Sequence, residues 1–199
     1  MSANFWGNPA VEPKRSYRWI VSIPGLENAE WYATKVGKPS FSLTEAEHTF
    51  LNHKFYYPGR VEWETVSVTL VDPITPDATD QLMRMLGITT AGGERGSSTG
   101  AEMGYRYPED YESATGTVTT KQTATDSLGE VVIRQISGGD ADATSTIVEE
   151  WVLKRAWVKS MSFGELDYGS DDLINIELEL RYDWAVINKT DGQLGQALA

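Results

Sequence analysis

With 199 residues, 40% of them apolar, the chain fits one domain carrying an insertion. Its 29 acidic and 17 basic residues leave a formal charge of −12, and the dense basic cluster is short, Lys14-Arg15 with Arg18, which argues against binding nucleic acid by neutralising phosphates. No cysteine is present, so a disulfide frame and a thiolate metal site are excluded. No stretch has signal-peptide form or approaches the ~18 apolar residues of a membrane span, and a soluble protein made in a cytoplasm is expected.

Alternation with period two dominates. Tyr17, Trp19, Val21 and Ile23 share one face of a strand that stops at Pro24-Gly25, and residues 31–36 read as a second short strand ended by Gly37. From about residue 47 the chain alternates to Tyr57, then again through 60–71, so Pro58-Gly59 between the two runs predicts a hairpin turn. A helix follows: Thr75 is placed to cap it, Pro76 suits its first position, and Ala78, Leu82, Met85 and Leu86 form its apolar stripe before Gly87. Residues 88–128 are rich in Gly, Ser and Thr without sustained periodicity, and read as an insertion. Strand pattern resumes at 131–136 and in a run over 147–163, where Trp151, Leu153, Trp157, Met161 and Phe163 are assigned to one face. The last strand sets Ile174, Ile176, Leu178, Leu180, Tyr182 and Trp184 against Asn175, Glu177, Glu179, Arg181 and Asp183. The fold class expected is mainly β with one helix, a sandwich or barrel.

Catalytic signatures fail on context. Gly96-Ser97-Ser98-Thr99-Gly100 matches a nucleophile elbow but lacks the strand before it and the helix after it. His48 and His53, five apart on an expected strand, fall on opposite faces and share no metal. Counted from Asp167, the sixth and twelfth positions of a calcium loop hold Asp172 and Leu178 instead of Gly and Glu. No Gly-rich loop carries Gly-Lys-Ser/Thr. Neither an enzyme nor a cofactor is expected.

Several blocks together resemble one family. They are Pro13-Lys14-Arg15-Ser16-Tyr17-Arg18-Trp19, Lys54-Phe55-Tyr56-Tyr57-Pro58-Gly59-Arg60-Val61-Glu62-Trp63 and Val68-Thr69-Leu70-Val71-Asp72-Pro73. Trp157-Val158-Lys159-Ser160, Phe163-Gly164-Glu165-Leu166-Asp167-Tyr168 and Arg181-Tyr182-Asp183-Trp184 complete the set. In this order they are similar to the tail tube proteins of contractile-tailed bacteriophages (myoviruses), relatives of type VI secretion tubes, and they span most of the chain. Residues 88–128 depart from the shorter members.

The resemblance implies a tail-tube fold of two packed antiparallel sheets with one flanking helix, in a structural virion protein whose hexameric rings stack into the inner tube of a phage tail. The implied partners are the chain itself, a tail sheath protein, a baseplate or tube initiator, a tail terminator, and duplex DNA passing through without specific binding or a membrane anchor. The alternative is the tube of a type VI secretion or phage-like injection system carrying protein effectors. A lipocalin-like barrel remains a rival and predicts a monomer with a closed apolar cavity. If each of six subunits lends about four strands, ~24 strands at ~4.8 Å and ~40° tilt close a bore of nearly ~40 Å, wide enough for duplex DNA. Candidates for an acidic lumen wall are Glu177, Glu179, Asp183, Glu62 and Glu64, and candidates for inter-subunit contact are Lys14, Arg15, Tyr57, Pro58, Gly59 and Arg60.

Overall fold

The computed structural model describes residues 14–26, 28–75, 77–86, 119–136, 147–169 and 171–189. Two four-stranded antiparallel sheets face each other. One holds β1 (Trp19–Ser22), β6 (Val131–Ile136), β7 (Ile147–Lys154) and β10 (Trp184–Lys189) in that order. The other is ordered β2 (Ala33–Val36), β5 (Val66–Val71), β9 (Asn175–Arg181), β8 (Trp157–Ser162). Alternation turns Val21, Val131, Ile133 and Leu153 of the first sheet toward Val66, Val68, Leu70, Ile176, Leu178 and Leu180 of the second, and these residues form the core.

The long run over 147–163 is two strands, not one. It leaves the first sheet after Lys154, turns at Arg155 with φ 55°, and enters the second as β8. A register shift between Val158 and Ser160 then puts Trp157 opposite Arg181 and Met161 opposite Leu178, so the expected single face is broken. The last run changes sheets as well, β9 ending at Arg181 and β10 beginning at Trp184. The two crossings lie side by side: the Asp183 amide donates to the Lys154 carbonyl at 3.1 Å, and the Asp183 carboxylate lies 3.6 Å from the Arg155 guanidinium.

Helix α2 (Ala78–Leu86) buries Ala78, Leu82 and Met85. Its start is capped by Asp77, whose carboxylate accepts from the Asp80 amide at 3.0 Å, in place of the expected Thr75; Gly87 lies outside the described residues. Two further helices are present. Of the strand expected over 31–36, the first two residues belong instead to the short helix α1 (Ala29–Tyr32). Within the irregular stretch 88–128, the final eight residues form α3 (Lys121–Leu128), started by a reciprocal Thr120–Thr123 capping box. Residues 88–118 lie outside the described residues.

Candidate assembly surfaces

Among the described residues, strands β3 (Phe41–Phe50) and β4 (His53–Trp63) pair only with each other, and every residue of the two is exposed except the half-buried Trp63. The turn is the Leu51-Asn52 tip, where Leu51 takes φ 53°, and not Pro58-Gly59. Pro58 stands mid-strand opposite Glu45, in a strand that among the described residues has one partner and so an outer edge of the kind that tolerates proline. Gly59 and Arg60 together oppose the single residue Thr44, a bulge in which the Arg60 amide donates to Thr44 Oγ1 at 2.7 Å. A Cβ on Gly59 would come within 2.8 Å of the Thr44 carbonyl, so glycine is required by the close approach.

That bulge switches faces along the arm. Phe41, Leu43, Val61 and Trp63 share one face near the root, with Trp63 packing edge-on to Phe41 and tilted against Tyr182 of the core. Beyond the bulge the apolar residues Phe50, Phe55 and Tyr57 occupy the opposite face, and the first face carries the Lys54–Glu47 ion pair. His48 and His53 lie on one face after all, because the turn falls between them; His53 packs edge-on to Phe55. An isolated two-stranded ribbon is marginally stable in water, and this much exposed apolar surface marks an interaction surface.

The outer face of the second sheet carries the expected wall residues in part. Glu177 stands exposed between Thr69 and Ser162. Glu179 is half-buried and accepts from Thr65 at 2.6 Å, Lys159 at 3.1 Å and Ser160 at 3.1 Å. The Thr65, Lys159 and Ser160 hydrogen bonds hold its carboxyl below the ordinary range. Lys35, Lys159 and Arg181 share this face with the two glutamates, three cations against two carboxylates, so it is not acidic. Asp183 lies off the strand at the sheet crossing, bound to Lys121 at 2.6 Å. Glu62 and Glu64 stand at the arm root, Glu64 accepting from Ser42 at 3.1 Å. The five carboxylates therefore occupy three places.

Of the contact candidates, Tyr57, Pro58, Gly59 and Arg60 lie on the exposed arm around its bulge, whereas Lys14 is turned inward. Its ammonium bonds the buried carboxylate of Glu149, which also accepts from Trp151 Nε1 and, at 3.0 Å, from Lys38. Lys38 reaches Gln135 at 2.6 Å, and Gln135 donates to the Arg15 carbonyl at 3.2 Å. Burial pushes the Glu149 carboxyl up, but the Lys14, Trp151 and Lys38 donors outweigh it and hold the group at about 2. This junction ties residues 14–15 and the segment leading into β3 to the first sheet. It was not singled out from the sequence, although Glu149 falls in phase with Trp151 and Leu153, a carboxylate on an inward-facing row.

Among the described residues no group of three or more His, Cys, Asp or Glu is placed to hold a metal, and no helix is long and apolar enough to cross a membrane. No protein-family model matches the chain, and no curated protein matches it in sequence. Solved structures do. A chain of the six-fold symmetrised anti-feeding prophage baseplate superposes with TM-score 0.57 at 17% identity, covering 89% of this chain and 97% of that one. A chain of the anti-feeding prophage tube-terminating cap gives 0.56 at 13%, covering 90% and 93%. A chain of the extended sheath–tube complex of an extracellular contractile injection system, PVC, gives 0.54 at 12%, covering 91% and 95%. The chain shares its fold with these chains of contractile injection assemblies.

Proposed function

We propose that this chain is the tube subunit of a contractile tail, assembling as hexameric rings that stack into a conduit. The observation that carries the reading is the exposed β3–β4 arm, joined to a sandwich whose edge strands β1, β10, β2 and β8 take no further strand among the described residues, in a fold shared with parts of contractile assemblies. Open edges and a naked ribbon are aggregation hazards for a monomer, and pairing among copies removes both. Sheath, baseplate and terminator proteins are the partners this role requires, and residues 1–199 act as one tube domain with 88–128 as its insertion.

Duplex DNA, passing without specific binding, is the cargo in the phage reading. A lumen lined by the outer face of the second sheet would hold phosphates weakly, since Lys159 is occupied by Glu179. The kinship with injection-system structures favours protein cargo as the second reading. Negative-stain microscopy of purified protein tests the role: six-fold rings or tubes are expected, and a monomer at every concentration overturns it. Nuclease-protected DNA inside native particles separates a phage tail from an injection device. In a phage, Glu177→Lys with Glu179→Lys is expected to leave tubes intact and slow ejection.

A further inference from the structure

At one end of the second sheet, β8 and β9 are joined by a connector, residues 163–174, whose described residues are all exposed. Phe163, Leu166, Tyr168, Leu173 and Ile174 present apolar surface there, Leu166 being 83% exposed. Glu165, Asp167, Asp171 and Asp172 add four carboxylates with no Lys or Arg among them. The backbone is shaped, with Gly164 at φ 80° and the Asp167 carboxylate accepting from the Gly169 amide at 2.9 Å. Apolar side chains on a shaped, acidic loop call for a receptor.

At the other end of the same two strands lies a groove of about 740 Å³. Val61 and Trp63 of the arm root, Ala124 of α3, Trp157 and Tyr182 give it apolar walls, and Lys121 and Arg181 line it as well. With Arg155 beside Asp183, the groove and its rim bring Lys121, Arg155 and Arg181 together with Glu62, Glu64 and Asp183, so cations are available there that the connector lacks, with Arg181 the one not bound to Asp183. Seven residues of β9 separate connector and groove, about 20 Å of strand at ~3.3 Å per residue, so no chain can seat its own connector. A second copy can. Surfaces that match at opposite ends of one molecule make a head-to-tail contact, which propagates or closes instead of pairing two copies.

We propose that the connector 163–174 of one copy seats in the groove of the next, Leu166 and Tyr168 against Val61, Trp63 and Trp157, with the carboxylates beside Lys121 and Arg181. This rests on the tube reading and names the contact that joins its copies. It is tested in a chain with no cysteine of its own. Copies carrying Leu166→Cys are mixed with copies carrying Val61→Cys, assembled and oxidised.

A disulfide between the two kinds of copy, within rings or tubes, is the result expected. Tubes without that disulfide overturn the contact and leave the tube reading standing. A disulfide in open chains that never form rings or tubes keeps the contact and overturns the ring. Neither disulfide nor polymer overturns both. A bond from Phe50→Cys at the arm tip to Val61→Cys, in place of the connector bond, gives the groove to the neighbour's arm and overturns the proposal. As a second variant, Leu166→Asp is expected to raise the protein concentration needed for polymer at least about tenfold with melting unchanged, since the site is open to solvent; unchanged assembly overturns the contact.

Discussion

Glu149 shows how one side chain sets the geometry of a surface it does not belong to. Its carboxylate lies between the sheets, and its three donors come from residues 14, 38 and 151. Removing the charge leaves Lys14 and Lys38 without their anion; because both lysines are about half exposed, the expected cost of Glu149→Gln is about 1–3 kcal/mol, below that of a fully buried pair. The pH dependence follows from the depressed carboxyl. The folded value is about 2 against an ordinary 4.5, so the unfolded chain takes up the proton first as pH falls. The stabilisation is complete above pH 4.5 and is lost on the way down to pH 2. Denaturant unfolding at a series of pH values is expected to show wild type and Glu149→Gln differing at pH 7 and converging near pH 2. Gly59 is the second such residue. Gly59→Val drives a Cβ onto Thr44 backbone and disrupts the bulge. Since the arm packs on itself, thermal melting is expected to stay nearly unchanged while tube formation, scored by microscopy, is lost.

At the scale of elements, what the sequence makes legible is whatever period two alone decides. Ile176, Leu178 and Leu180 are buried and Glu177 is exposed, as the alternation requires. Sheet changes are not legible, because a strand that crosses from one sheet to the other keeps alternating; the corners at Arg155 and Asp183 are made by a positive φ and a carboxylate clamp. Pro58-Gly59 reads locally as a turn, yet Leu51-Asn52 closes the hairpin and Pro-Gly serves the bulge. Helix α3 is not legible because Lys121-Gln122-Thr123-Ala124-Thr125-Asp126-Ser127-Leu128 has little apolar stripe and depends on its Thr120 cap. Of the candidate surface, the arm's residues were legible and its two-sidedness was not, since the bulge throws alternating β4 residues onto opposite faces. That two-sidedness has a consequence. Phe50→Asp with Phe55→Asp alters only the tip patch, leaving Trp63 on Tyr182. Sedimentation is expected to show a folded monomer in place of polymer.

For the whole molecule, assembly sets a net charge of −12 per copy against local contacts. The two respond to salt over different ranges. Repulsion between whole subunits acts over tens of ångströms, and the screening length falls from ~30 Å at 0.01 M to ~10 Å at 0.1 M. The proposed contacts between a connector carboxylate and Arg181 would act at a few ångströms and be little altered by that change. Polymer is therefore expected to be scarce at ~10 mM salt and to increase toward ~150 mM as the long-range term is screened. Apolar contacts at the arm tip hold the assembly at higher salt, while the connector contact weakens once screening reaches ~3 Å near 1 M. Light scattering against salt is thus expected to rise and then level or fall for the wild type. Glu165→Gln with Asp171→Asn, which removes two connector carboxylates, is expected to shift the rise to lower salt and to flatten the decline. A curve that decreases from the lowest salt onward would show attraction between opposite charges, and not relief of repulsion, to be the term that controls assembly.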